Sequence, residues 1–180
     1  MNAVIGVDPG WRWTAGILLV GDDVIDGFTL GPIGSRKAND AMDPAALDAY
    51  TDRIGAALDE LWDQAVALGH TPRVAVEMPT VPIGNKRFVA KFRAYKITND
   101  VAWFVKGRFN ATRIRNTDNF GHRHEKARGG SGIIGDYYPA SLIRRRQLRG
   151  PCQAPDGERN HERAAYDVAM KIRQLETAAA

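Results

Sequence analysis

Two acidic residues stand at the ends of short apolar segments, and a proline follows each of them closely. Asp8 ends the apolar run 4–7, and Glu77 holds the same place in the segment 73–78. Short β-branched runs bounded by Pro or Gly predict buried strands. A carboxylate at the end of a buried strand is costly unless it is hydrogen-bonded, paired or bound to a metal ion. The repeated placement favours one shared site; the alternatives are an Asp8 that caps its own turn and a Glu77 that faces water.

The segments that position these acids alternate between strand and helix patterns. Three consecutive strands with short links predict an antiparallel meander. Asp43 followed by Pro44 starts a helix that ends at Gly69, a second helix is expected to end at Gly107, and a third carries Asp167 beside its apolar stripe. The predicted strands cover residues 4–7, 14–20, 24–30, 73–78, 111–115 and 133–138, and the predicted helices cover residues 43–68, 86–106 and 161–175, with a short one from residue 139.

Size and composition are those of one globular domain covering residues 1–180. Apolar residues make up 44% of the chain and charged residues 26%, and no apolar run approaches the roughly 20 residues of a membrane helix. The first residues show no basic-then-apolar signal region, so we expect a cytoplasmic protein. The single cysteine, Cys152, excludes an internal disulfide and a cysteine-based zinc site.

The basic residues are concentrated in one part of the chain. Residues 85–149 contain 16 Lys or Arg and 4 Asp or Glu, whereas the remainder contains 9 basic and 17 acidic residues, so the net charge of +4 hides this asymmetry. A solvated surface usually mixes the two signs, so the block predicts a face that binds a polyanion such as nucleic acid. Within it, residues 116–135 are basic and glycine-rich, and we expect a flexible insertion there.

Three motifs resemble a known family. Residues 4–10 read V-I-G-V-D-P-G, T-A-G follows at 14–16, and H-E-R-A-A-Y-D-V-A-M occupies 161–170. They resemble RuvC-type Holliday junction resolvases, most closely the phage-encoded members. The resemblance implies an α/β RNase H-like fold, with a mixed central sheet, a three-strand meander and flanking helices. It also implies that Asp8, Glu77 and Asp167 are metal ligands.

Hydrolysis of phosphodiesters explains why a family of this kind uses these residue types. The reaction needs a nucleophilic water and a stabilised leaving oxygen, and two magnesium ions about 4 Å apart provide both. Mg²⁺ prefers carboxylate oxygens and retained waters. We therefore expect Mg²⁺ as the cofactor, with Mn²⁺ able to substitute. No Ser-His-Asp or Cys-His arrangement is visible in the sequence as a rival.

The chain departs from the family pattern at two positions. Thr80 stands where the family often has an aromatic wedge, and Phe88 is the nearest aromatic substitute. Ala164 stands where the first acid of the family's Asp-x-x-Asp motif would fall. Either His161 or Glu162 takes over as a further catalytic residue, or the site is weakened.

The resemblance also implies the partners. The family acts on branched DNA as a homodimer, and the helix 86–106 is the candidate dimer interface because it mixes large apolar residues with basic ones. No segment is assigned to a branch-migration motor, and no membrane contact is expected. The residues expected to contact DNA phosphates are Lys86, Arg87, Lys91, Arg123, Lys126, Arg128, Arg144, Arg145 and Arg146.

The function expected from these observations is metal-dependent cleavage of four-way or otherwise branched DNA. Two alternatives keep the same fold: a ribonuclease for RNA–DNA hybrids and, if Ala164 signals lost activity, a junction-binding protein that does not cleave. An actin-like ATPase, whose phosphate loop resembles the first strand, needs two such domains, and 180 residues are too few.

Overall fold

The structure is a computed structural model that describes residues 3–31, 43–81, 88–115, 150–151 and 160–179. These residues form five strands and three helices. The strands are β1 (Ala3–Asp8), β2 (Thr14–Val20), β3 (Asp23–Leu30), β4 (Arg73–Met78) and β5 (Thr112–Arg115), and the helices are α1 (Pro44–Ala67), α2 (Phe88–Phe109) and α3 (Asn160–Ala179).

The five strands form one mixed sheet in the order β3-β2-β1-β4-β5. Strands β1, β2 and β3 pair antiparallel through short turns, whereas β4 pairs parallel to β1 and β5 parallel to β4. The predicted mixed sheet with an antiparallel meander is therefore confirmed. A parallel pair needs a crossover connection, and α1 and α2 provide the two crossovers.

Alternating side chains of the strands build two cores, one on each face of the sheet. Ala3, Ile5 and Val7 of β1 pack on the face covered by α1 and α2, while Val4 packs on the face covered by α3. Side chains alternate along a strand, so Asp8 points to the same face as Val4. The first acid of the chain thus lies beneath α3.

Helix α3 approaches β1 closely because Gly6 has no side chain. A Cβ atom at this position would stand 2.6 Å from the backbone nitrogen of Ala169 and 2.8 Å from the Cβ of Ala169, and closer still to the carbonyl oxygen of Ala165. A β-carbon cannot be accommodated at these distances without moving the helix or the strand. The glycine of the V-I-G-V-D segment therefore sets the separation of α3 from the sheet.

The termini of α1 match the prediction. Asp43 lies before the helix and its carboxylate accepts a hydrogen bond from the backbone nitrogen of Ala46 at 2.7 Å, with proline at the first helical position. Gly69 adopts φ 83° directly after the last turn, as expected for a helix C-terminus.

The predicted end of α2 at Gly107 is wrong. The helix continues to Phe109, and Gly107 lies on its exposed face, where a Cβ atom would meet no other atom within 4 Å. The left-handed residue that ends the helix is Asn110, at φ 47°, whose side-chain oxygen accepts a hydrogen bond from Lys106 Nζ at 3.0 Å. Asparagine tolerates this conformation better than most residues.

Helix α3 is also longer than predicted, since it begins at Asn160 and extends to Ala179. The predicted strand at 133–138, the short helix after residue 139 and the flexible insertion at 116–135 lie outside the described residues. None of the three described helices is both long and apolar enough to span a membrane.

Candidate active site

One row of residues crosses the sheet beneath α3 and contains both strand-end acids. Asp8 pairs with Ala15 of β2, which pairs with Thr29 of β3. On the other side of β1, Val7 pairs with Val76 of β4. The next residues in this parallel register are Asp8 and Glu77, so the two acids are neighbours, and Glu77 in turn pairs with Ile114 of β5. Residues opposite each other on neighbouring strands point to the same face. The sheet register therefore places Asp8 and Glu77 side by side.

Asp167 of α3 supplies the third carboxylate. Its side chain is 5% exposed and that of Glu77 is 9% exposed, so both acids are largely removed from water. Burial, followed by repulsion from the carboxylates of Glu77 and Asp167, raises the pKa of Asp8 well above its ordinary value. The three acids expected from the sequence thus share one electrostatic environment between β1, β4 and α3.

This donor set suits a hard cation by its chemistry. Buried carboxylates are costly, and a divalent cation between them removes both the desolvation cost and the mutual repulsion. Among the described residues, however, no three His, Cys, Asp or Glu side chains form a group ready to hold a metal ion. The chemistry of the three carboxylates thus suits such an ion, whereas their side-chain positions in this structure do not form a ready coordination shell.

The backbone that follows Asp8 is fixed from the opposite face of the sheet by Tyr50 of α1. Its hydroxyl lies 2.8 Å from Thr14 Oγ1, 3.1 Å from the carbonyl oxygen of Gly10 and 3.3 Å from that of Leu30. The Gly10 nitrogen in turn donates to Thr14 Oγ1 at 3.2 Å. Burial raises the pKa of Tyr50, so its hydroxyl remains protonated as a hydrogen-bond donor. These bonds hold both ends of the turn that starts at Asp8.

The first turn of α3 contains the two further candidates, His161 and Glu162. Glu162 is fully buried, and Thr29 Oγ1 donates to its Oε1 at 3.5 Å, at the β3 end of the same row. The half-buried His161 packs against Trp13, with ring centroids 6.3 Å apart and the ring planes tilted by 38°. Both residues belong to the helix, which begins at Asn160, and Ala164 is half-buried. Glu162 therefore points toward the sheet but lies two strands away from Asp8.

Comparison with solved structures gives matches over nearly the whole chain, among them two structures of RuvC. The structure of Thermus thermophilus RuvC in complex with Holliday junction substrate superposes with a TM-score of 0.54, at 11% sequence identity, over 99% of this chain and 96% of that one. A second Thermus thermophilus RuvC structure gives a TM-score of 0.55 at 12% identity, over 98% and 96% of the two chains. No protein-family model matches the sequence, and comparison with curated proteins gives no match.

The chain has the RNase H-like fold of RuvC. The fold expected from the three sequence motifs is thereby confirmed over nearly the whole chain. At 11–12% identity the likeness to RuvC describes the architecture, so the roles of individual residues follow from the geometry of this chain.

Most of the predicted DNA-contacting residues lie outside the described residues, and they stay predictions. Lys91 lies within α2, whose described side chains begin at Phe92, and the remaining eight precede α2 or fall between residues 116 and 149. Thr80, at the position of the RuvC-family aromatic wedge, is exposed just after β4. Phe88 is the first residue of α2.

Sequence reasoning missed two features of the site. Tyr50 was predicted only as part of the apolar stripe of its helix, because nothing local marks a hydroxyl that bonds to a turn 40 residues earlier. Trp13 was given no role, although its indole packs against the start of α3. The signal available in the sequence was the W-R-W triplet directly after the D-P-G of the first motif.

Proposed function

We propose that this chain is a metal-dependent endonuclease that cleaves four-way DNA junctions. The observation that carries the proposal is the convergence of Asp8, Glu77 and Asp167 beneath α3, in a fold shared with RuvC. RuvC is seen in complex with a Holliday junction substrate. The basic block 85–149 supplies the charge that such a polyanion requires.

In this proposal the three carboxylates hold Mg²⁺ through their oxygens. The metal supplies a water made nucleophilic at neutral pH and stabilises the oxygen that leaves. Asp8 and Glu77, fixed by the sheet register, define one side of the site, and Asp167 closes it from α3. The hydrogen bond from Tyr50 to Gly10 holds the backbone that follows Asp8 in place, so the Asp8 carboxylate would be presented from a fixed backbone. The proposal keeps the cytoplasmic location expected from the sequence.

The proposal includes a homodimer. Symmetric cleavage of a four-way junction needs two equivalent active sites, and a two-fold dimer supplies them. The exposed face of α2 carries Phe92 and Trp103, which are 43% and 49% exposed. We therefore keep α2 as the proposed interface. Sedimentation should show a dimer, and only monomer with and without junction DNA would contradict this part of the proposal.

Cleavage of a defined substrate panel tests the proposed function. The panel compares a four-way junction, a flap, a linear duplex and an RNA–DNA hybrid in Mg²⁺, Mn²⁺ and Ca²⁺. We expect symmetric cuts in the junction with Mg²⁺ or Mn²⁺. Preferred cleavage of the hybrid would favour a ribonuclease. Tight junction binding without cleavage would favour a binding protein weakened at Ala164, which cannot ligate a metal ion.

The DNA side of the proposal is tested by salt dependence. The apparent binding constant should fall with salt at a log–log slope of about −0.9 per phosphate contact on duplex arms. Replacing Arg144, Arg145 and Arg146 with alanine should flatten that slope. The matched control is Arg73→Ala, which removes an exposed arginine at the start of β4, at the sheet edge opposite the acids. An unchanged slope in the triple variant would show that DNA phosphates contact another part of the protein.

A further inference from the structure

The turn between β1 and β2 leaves the sheet directly after Asp8 and carries three large side chains. Residues Trp11, Arg12 and Trp13 are consecutive there; Arg12 is exposed, and both tryptophans are half-buried. Strands β1 and β4 are parallel neighbours, so the turn after Asp8 and the segment after Glu77 emerge at the same sheet edge. The tip therefore lies beside the carboxylates and faces outward from their edge.

This turn is rigid, and its three large residues have different environments. The Gly10 nitrogen bonds to Thr14 Oγ1 at 3.2 Å, and Tyr50 lies 3.1 Å from the Gly10 oxygen. Trp13 points inward: a Cβ atom on Gly31 would stand 2.5 Å from Trp13 Cζ3, so the indole fills the space that the glycine leaves. Trp13 and the bonds at Gly10 thus anchor the turn on both sides of Trp11 and Arg12.

We propose that Trp11 and Arg12 form a nucleotide-binding element beside the active site. Trp11 stacks on a base of the strand to be cut, and the Arg12 guanidinium binds an adjacent backbone phosphate. The inference rests on the proposed function, because it assumes that the substrate is DNA held at the three carboxylates. It adds a contact that lies outside the basic block 85–149 and positions the strand next to the acids.

Reach and chemistry both support this element. Trp11 lies three positions after Asp8 in the sequence, a distance of at most about 11 Å along the backbone. Successive phosphates of one strand are spaced about 3.4 Å apart along a duplex axis, so the indole reaches bases within about three nucleotides of the scissile phosphate. Indole rings stack on any base, and a guanidinium can bind phosphate through two parallel hydrogen bonds. A rigid tip loses little entropy when it binds.

The neighbouring segment at the same sheet edge offers no aromatic side chain among its described residues. It continues from Pro79 through Thr80 and Val81, where Thr80 is exposed and Val81 is 56% exposed. A DNA base that unstacks from its neighbours at this edge of the sheet would therefore stack on the indole ring of Trp11. This explains why a large, partly exposed indole stands at a position where a polar turn residue would suffice for folding.

Equilibrium binding to a four-way junction in Ca²⁺ tests the stacking contact. We expect Trp11→Leu, which keeps apolar volume without a ring, to weaken binding about 5- to 150-fold, the range for one base–aromatic stack. Trp11→Phe should bind within about threefold of the parent protein, since a ring remains. Equal binding by the leucine variant and the parent protein would overturn the proposal. Thermal midpoints of all variants confirm that the fold is intact.

Abasic substitutions separate stacking from a structural role. Single abasic nucleotides are placed at each of the three positions on either side of the mapped cut. At one of them, Trp11→Leu and the parent protein should bind equally, because the base that the indole contacts is gone. A loss of the same size at every position would show that Trp11 only maintains the turn, and would overturn the assignment.

The phosphate contact of Arg12 is tested by the salt slope. Arg12→Ala should reduce the log–log slope by about 0.9, whereas Arg73→Ala at the opposite sheet edge should leave it unchanged. Equal slopes for Arg12→Ala and the parent protein would remove the phosphate contact. The Trp11→Leu and Arg12→Ala comparisons measure binding alone, so they remain informative if the substrate panel shows no cleavage, whereas the abasic series applies once a cut has been mapped. Failure of the Trp11 contact leaves the proposed nuclease activity standing.

Discussion

Gly6 offers the sharpest test of how the fold positions the acids. A Cβ atom at Gly6 would lie 2.6 Å from the Ala169 nitrogen, whereas ordinary contacts begin at 3.4 Å, so α3 and β1 must separate by about 0.8 Å at least. Asp167 lies on α3 between the contacting residues, and Asp8 lies two residues after Gly6. Misplacement of about 1 Å can cost a reaction 100-fold, so Gly6→Ala should slow cleavage about 10- to 100-fold.

The stability of the same variant should also fall. Overpacking of this kind destabilises a protein by about 1–3 kcal/mol, which lowers the thermal midpoint by roughly 2–12 °C at this chain length. The matched control is Gly107→Ala on α2, where no atom lies within 4 Å of the added Cβ. Alanine is favoured over glycine in a helix by about 1 kcal/mol, so this variant should be slightly more stable than the parent protein.

The assay measures the single-turnover cleavage rate of a four-way junction at saturating Mg²⁺, together with junction affinity in Ca²⁺ and the thermal midpoint. For Gly6→Ala we expect a slow rate with affinity nearly unchanged. A rate equal to that of the parent protein, with the midpoint lowered as calculated, would refute the reasoning, because the separation of α3 from the sheet would then not control the site.

Three further predictions follow from the same geometry. Because the pKa of Asp8 is raised by folding, the fold loses stability as pH rises past the ordinary range of an aspartate, and this loss is complete above the raised pKa. Asp8→Asn should therefore raise the thermal midpoint without divalent ions; the gap to the parent protein should begin to narrow as pH falls below the raised pKa and should vanish below the ordinary range of an aspartate. Mg²⁺ should raise the midpoint of the parent protein but not that of Asp8→Asn, and equal shifts would contradict the ligand assignment. Tyr50→Phe should raise the Mg²⁺ concentration that gives half-maximal cleavage. Thr51→Val should not raise it, because among the described contacts the Thr51 hydroxyl bonds only within its own helix. Equal Mg²⁺ requirements for the two variants would show that Tyr50 is merely structural. Ala164→Asp adds a carboxylate one turn before Asp167 and should raise both Mg²⁺ affinity and rate, and an inert or slower variant would place the fourth ligand elsewhere.

Local patterns in the sequence predicted the elements and the order of the three acids. The short apolar run of β1 and the Asp43–Pro44 start of α1 are local signals, and the structure forms the strand and the helix that they predict. The end of α2 was misplaced because a glycine on an exposed helix face remains helical, while Asn110 takes the left-handed conformation.

Contacts between residues distant in sequence could not be predicted. The hydroxyl of Tyr50 meets the turn after Asp8 only once α1 has packed on the sheet. Glu162 lies five residues before Asp167 and so does not share its face on an ideal helix, yet it is fully buried, with Thr29 of β3 as a hydrogen-bond donor. Both contacts depend on where a helix packs on the sheet, and the periodicity of apolar residues in the sequence does not determine this.

The central claim is that Asp8, Glu77 and Asp167 act together as a metal-dependent nuclease site. The most direct measurement is the cleavage of a four-way junction in Mg²⁺ by Asp8→Asn, Glu77→Gln and Asp167→Asn, beside Glu60→Gln on the exposed side of α1 as a control. The account predicts that each of the three abolishes cleavage while junction binding in Ca²⁺ is retained, and that the control cleaves normally. Full activity in any of the three would contradict it.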